Sequence, residues 1–241
     1  TTQHSWGPGP RRLTPRRGRL ARDVRSLRQE DDRFMSSSRS RRQVRLSRAL
    51  GIPLTPKAVR YFEKRPYGPG EHGRARRRAE SDYAVRLKEK QRLRAQYGIR
   101  EAQLQRVFEE ARREKGLTGE SLVELLEMRL DALVLRSGFT RTIAQARQSV
   151  VHRHILVDGR IVDRPSFRVK PGQTIQVRPR SQVMVPFQAA AAGTHRDVLP
   201  PVPDYLSVEL EKLSATLVRR PKRDEVPVTC DVQMVVEYYS R

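Results

Sequence analysis

Leu122, Leu126, Leu130 and Leu133 recur every three or four residues and stop at Gly138, a spacing that predicts one helix with a single buried stripe. Thr142 followed by Gln145 is a capping-box pattern, opening a helix expected to run through Val151. His154–Val157 and Arg160–Val162, joined by Asp158-Gly159, carry the strongest short hairpin signature. Lys170-Pro171-Gly172 then turns into an alternating strand, Thr174–Val177. Upstream, Thr55 is an N-cap with Pro56 at the first helical position, and that helix must stop before Pro66. Ser81 caps a helix to Tyr97 closed by Gly98, and another runs from about Arg100 to Lys115 before Gly116. Residues 1–44 offer almost nothing to bury and are expected to be a disordered basic arm. Beyond Arg180 the pattern is irregular until Val232–Tyr239 presents a last amphipathic helix.

Charge gives this pattern a partner. Fifty Lys and Arg against 27 Asp and Glu leave a net charge of +23, a field suited to a polyanion. The first hundred residues carry 28 basic and 9 acidic side chains, so the excess is concentrated there. No apolar run approaches the roughly 20 residues of a membrane span. Cys230 is the lone cysteine, which excludes a disulfide frame and a Cys-based zinc site and makes a reducing compartment the simpler setting. The Arg- and Ser-rich start has some character of an organellar transit peptide, but Glu30-Asp31-Asp32 and the scarcity of large apolar residues argue against an amphipathic leader helix.

Catalytic chemistry finds no constellation. His4, His72, His152, His154 and His195 are scattered, and the His152-x-His154 pair has no third ligand at metal spacing. A nucleophile with its base and a Gly-rich phosphate loop are both missing. RNA binding explains more. The Thr142 helix start presents N–H groups to phosphate, with Arg141 and Arg147 adding charge. Arg129 and Arg136, seven apart, are expected to share a face of the preceding helix. Gln145 and Gln148 can reach sugars or base edges, and His152 and His154 can stack or hydrogen-bond. Arg86, Lys88, Lys90, Arg92 and Arg94 make the 81–97 helix strongly cationic; in a neutral protein they would be a solvated face, and the surrounding charge turns the expectation to phosphate contact.

Ser47–Gly51 reads Ser-Arg-Ala-Leu-Gly, Arg65–Gly73 reads Arg-Pro-Tyr-Gly-Pro-Gly-Glu-His-Gly, Leu87–Arg94 holds Leu-Lys-Glu-Lys-Gln, and the chain ends Val-Glu-Tyr-Tyr-Ser-Arg over Val236–Arg241. With Arg129–Val177 these motifs resemble, in order, the bacterial small-subunit ribosomal protein S-four family over about residues 45–241. The zinc-binding Cys cluster of some members is absent, and Arg153 stands where members often have Gly.

The resemblance implies an α+β protein: a mainly helical domain over 45–124 and 181–241, an inserted helix-turn-helix plus hairpin RNA-binding domain over 125–180, and the basic arm over 1–44. It implies a non-enzymatic, cytoplasmic ribosome constituent with no cofactor, metal, membrane or homo-oligomer. Such a protein binds small-subunit rRNA early, nucleates assembly of the subunit body, touches ribosomal protein S-five, contributes to decoding accuracy and lines the mRNA entry channel. Arg45, Arg48, Arg153, Arg160 and Lys170 join the residues above in the expected rRNA contact. Arg74, Arg76, Arg77 and Arg78 are expected at mRNA entry, and Val232, Val235, Val236 and Tyr239 to make a protein contact facing S-five while completing the first domain. The resemblance begins a short arm downstream of Met35, which is expected to be the natural start, with a functional basic extension over residues 1–34 as the alternative. An RNA-modifying enzyme or tRNA synthetase carrying the same module would need a catalytic domain for which there is no room, and a DNA-compacting protein would not need the capped module.

Overall fold

The computed structural model describes residues 42–75, 79–195 and 199–240. The expectations for the arm upstream of residue 42, for Met35 and for Arg76, Arg77 and Arg78 fall outside these residues. Residues 43–241 form one unit, with helices making up about half of it.

The chain begins its described course with helix α1 (42–50), where a disordered arm was expected to end only at residue 44. Helix α2 (Pro56–Lys64) starts on Thr55, whose hydroxyl accepts from the Ala58 N–H at 3.3 Å. A 3-10 turn at Glu71–Arg74 follows, and Gly73 is indispensable there, because a Cβ would lie 2.1 Å from the Gly68 carbonyl oxygen. Helix α3 (Asp82–Gln96) sits where its cap and closing glycine place it, whereas α4 (Glu101–Ala111) stops short of the Lys115 expected ahead of Gly116.

The leucine stripe is not one helix. It divides into α5 (Thr118–Glu127) and α6 (Leu130–Arg136), because Arg129, after Met128 ends the first helix, turns extended to meet the 165–169 strap. The Leu130 N–H donates to the Phe167 carbonyl at 2.8 Å and the Val169 N–H to the Met128 carbonyl at 3.0 Å. The leucines keep their three- and four-residue spacing across the break, so periodicity alone hides it.

Helix α7 (Ile143–Val151) packs on α6 and leads into the hairpin β1 (Ile155–Val157) and β2 (Arg160–Ile161). Strand β3 (Thr174–Val177) pairs antiparallel with β1, setting Ile155 opposite Val177 and Val157 opposite Ile175. The region after Arg180 is more ordered than its irregular pattern suggests. It holds short helices α8 (Pro179–Gln182) and α9 (Val185–Ala191) and a second hairpin, β4 (Leu206–Glu209) with β5 (Ser214–Leu217). Strand β5 pairs with β3, completing a five-stranded antiparallel sheet in the order β2-β1-β3-β5-β4. Ile155, Val157, Ile175, Val177, Ala215 and Leu217 are buried on one face, following the period-two alternation of strands.

The last helix, α10 (Val232–Tyr239), returns to pack on α3 and α5. Val232 and Val235 are buried, and the Tyr239 ring stacks on Phe108 with centroids 4.8 Å apart. The stripe expected to complete the first domain while facing another protein does the former, with Val232 and Val235 in the chain's own core and Val236 and Tyr239 half-buried against it. The segment 181–241 serves both parts, with β4 and β5 joining the sheet and α10 the helices.

Candidate nucleic-acid interface

The arginines expected on the leucine helix are internal. Glu127, with no exposed surface, accepts from the Tyr97 hydroxyl at 2.6 Å, the Tyr205 hydroxyl at 2.8 Å and Arg136 Nε at 2.6 Å. Burial works to lower the Arg136 pKa, but the adjoining carboxylate raises it overall; burial and the same carboxylate push both tyrosines up. Arg129 forks onto buried Asp131 at 3.0 and 2.8 Å. These pairs satisfy charges within the fold, so the shared outward face expected of Arg129 and Arg136 does not exist.

Cations of α3 are also largely engaged. Arg86 binds Glu237 at 2.7 Å, Lys88 binds Glu80 at 3.1 Å, and Arg92 binds Glu89 and donates to the Leu50 carbonyl at 2.7 Å. Lys90 is only 4% exposed, paired with Glu101 at 2.8 Å and 4.1 Å from the Tyr238 ring centroid. Lys90 is therefore removed from any phosphate, a correction to the phosphate contact expected of it from sequence. Arg94 has no carboxylate partner among the described residues. Arg48 braces the following loop through the Tyr67 and Gly68 carbonyls at 3.0 and 2.9 Å, and with Arg74 it sandwiches the Tyr67 ring. Arg45 is exposed on α1.

A different picture holds on α7. The Thr142 hydroxyl accepts from the Gln145 N–H at 3.3 Å, and the Gln145 side chain accepts from the Arg141 N–H at 3.0 Å, one residue before the position a strict capping box uses. The N–H groups of Ile143 and Ala144 thus remain at the helix start. Gln145, Gln148 and His152 follow one face of α7 at four- and three-residue intervals, while Ala146, Ser149 and Val150 are buried on the other. Exposed Arg141 leads into this stripe. Arg147 leaves it, donating to the Gly98 carbonyl at 2.6 Å and lying 3.5 Å from Asp131.

At the far end, roughly 13 Å from Thr142 by helix rise, the Arg153 N–H donates to the Val150 carbonyl and the His154 N–H to the Ser149 carbonyl, a Schellman ending with Arg153 at φ +63°. The position where family members often have Gly thus keeps the left-handed geometry. Arg153 also pairs with Asp163 in solvent at 3.2 Å. Nδ1 of His154 lies 2.9 Å from the Ser181 hydroxyl; burial, then His152 and Arg178, lower its pKa. Arg160, on the hairpin, and Lys170, beyond it, are exposed and have no carboxylate partner among the described residues. Sequence reasoning passed over Lys57, Arg60 and Lys64, all exposed on α2, although their spacing of three and four residues is a one-face signal.

Comparison with known proteins bears directly on this geometry. Residues 38–127 match the family described as "Ribosomal protein S4/S9 N-terminal domain", and residues 128–175 match the "S4 domain". A Beutenbergia cavernae protein, "Small ribosomal subunit protein uS4", is 81% identical over 206 residues, covering 86% of this chain and 99% of the relative. The chain belongs to the uS4 family. Proteins of the same name from Pseudarthrobacter chlorophenolicus and Leifsonia xyli are 74% and 76% identical, over 86% and 85% of this chain and 99% of each relative. Membership in a family of ribosomal proteins agrees with reading the chain as a non-enzyme. The α7 stripe and hairpin lie within the S4-domain match, and the described cationic face of α2 lies in the uS4 N-terminal region. No described helix is long and apolar enough to cross a membrane, and no metal-holding cluster occurs among the described residues.

Proposed function

We propose that this chain is a structural constituent of the small ribosomal subunit that binds the subunit's RNA directly, in the cytoplasm as part of the ribosome. One observation carries the reading: a stripe of polar side chains with no acidic partner among the described residues runs the length of α7, from Arg141 through Gln145 and Gln148 to His152. Amide and imidazole groups suit sugars and base edges, and Arg141 beside a helix N-terminus suits phosphate. Arg153, Arg160 and Lys170 extend the charge around the hairpin, and Lys57, Arg60 and Lys64 extend it on α2. Arg129, Arg136 and Lys90 have structural roles, and Arg147 supports α7.

Early binding would let the protein nucleate the subunit body, since one sheet and one core fix both the α7 stripe and the N-terminal helices. Arg74, stacked on Tyr67 at 4.7 Å, is the described residue of the group proposed for mRNA entry. With Val232 and Val235 in the core and Val236 and Tyr239 half-buried, a contact with ribosomal protein S-five that influences accuracy is better served by another face, and the exposed run Val183-Met184-Val185 supplies apolar surface for one.

Competition binding tests the reading: the full chain should prefer bacterial small-subunit rRNA over duplex DNA at matched salt. Replacing Arg141 with Ala should weaken rRNA binding by about 1–3 kcal/mol and lower the salt slope by about one unit. Equal affinity for duplex DNA would overturn it.

A further inference from the structure

Beside the Thr142 end of α7 lies a cleft of about 260 Å³, closed on its other side by the start of α2. Its walls are largely apolar, with Pro53, Pro56, Val59, Leu135 and Pro200 among them, and Arg141 also lines it. None of the described residues lining it is acidic. The other two charged or phenolic groups there, Arg136 and Tyr97, are held by Glu127.

We propose that this cleft holds one unstacked base of the bound RNA, with that nucleotide's phosphate at Arg141; the inference rests on the RNA-binding reading above. RNA is read largely through bases splayed out of the helix and stacked on flat side chains, such as aromatic rings and guanidinium planes. Proline faces supply such a surface with little conformational entropy to lose. The space is below the roughly 300–1,000 Å³ of drug-sized ligand sites, which suits a single planar ring system. Charge selects the occupant. An apolar cleft lined by an arginine, with Lys57, Arg60 and Lys64 on the adjoining helix, favours an anionic planar group, whereas the chain's own first 34 residues hold 9 Arg against 4 acids and would be repelled.

Val59 is partly exposed on α2 and lines the cleft, so Val59→Trp would fill the space without adding charge. Binding of bacterial small-subunit rRNA to the full chain should weaken about tenfold, the scale of one lost stacking contact. The salt slope should stay unchanged, and Leu117→Trp, at an exposed site away from the cleft, should bind like the unaltered protein. Unaltered affinity in Val59→Trp, including the case where it blocks only another protein's joining, overturns the base pocket while leaving RNA binding standing. A slope lowered by a unit overturns it too, because charge rather than stacking would have been lost. Failure of the unaltered chain to prefer rRNA over DNA is the separate failure of the RNA reading. Should Val59→Trp not fold, thio-substituted rRNA irradiated with the unaltered chain decides the matter: crosslinks in the 53–60 or 135–143 peptides support the pocket, and crosslinks only elsewhere overturn it.

Discussion

Replacing Glu127 with Gln should destabilise the protein by about 3–5 kcal/mol, the cost of leaving a buried guanidinium without its carboxylate. Glu127 is fully buried and Arg136 nearly so, with Nε 2.6 Å from the carboxylate and two tyrosine hydroxyls completing the shell. Glutamine preserves the shape, so little of the loss should come from packing. Tyr205→Phe removes one hydrogen bond to the charged acceptor and should cost about 1.5–3 kcal/mol. Domains of this size hold only about 5–15 kcal/mol in total, so the Gln variant should show a large drop in urea midpoint at an unchanged m value. Its folded fraction should retain the rRNA affinity and salt slope of the unaltered protein, because the pair faces the interior. A stability loss below about 1 kcal/mol, or a slope reduced by a unit, would show that the cluster is not the internal tie described here.

Arg153→Gly should be more stable than Arg153→Ala by about 1 kcal/mol in urea unfolding, since both lose the solvent-exposed Asp163 pair but only Gly relieves the left-handed backbone; equal stabilities would refute the strain. Deleting residues from Val232 onward should expose Phe108 and the α3 face and lower the melting temperature before any RNA effect is read; an unchanged melting temperature would contradict the buried stripe. The folded-state pKa of His154 is depressed, so the unfolded chain takes up a proton first and stability should fall as pH drops below about 6.5, a slope that His154→Gln should remove. The Cys230 thiol, pushed up to about 11 chiefly by burial, should react slowly with a thiol reagent at pH 8, and labelling at the rate of a free cysteine would count against its burial.

The elements most legible in the sequence are those whose signals are local. Thr55-Pro56, Ser81, Thr142 and Asp158-Gly159 each fix a cap or turn within a few residues, and the structure puts a helix start or hairpin at each. The β4–β5 hairpin carries no such mark, because Leu213, not Gly or Asn, takes the left-handed turn position at φ +48° and is held there by its own burial. In the candidate site, sequence shows which side chains are charged but not which neutralise one another. Arg86 and Glu237 are 151 residues apart, and Lys90 meets Glu101 only because the chain turns at Gly98 between α3 and α4. The α7 stripe is legible because its members lie on or next to one short helix, although Arg147 turns aside to Gly98 and Asp131.

The pairing of α10 with α3 gives synthesis its own timetable. Helix α3 is complete at Gln96, yet its partner begins at Val232, so the nascent chain emerges with Lys90, Arg86 and the Phe108 face uncovered until α10 leaves the exit tunnel. Contacts of such long separation close late. A polycation in that state sits within reach of the RNA of the ribosome making it, and release of the last eight-residue helix is the event that withdraws two of its cations into the protein and leaves α7 and α2 to present the remainder.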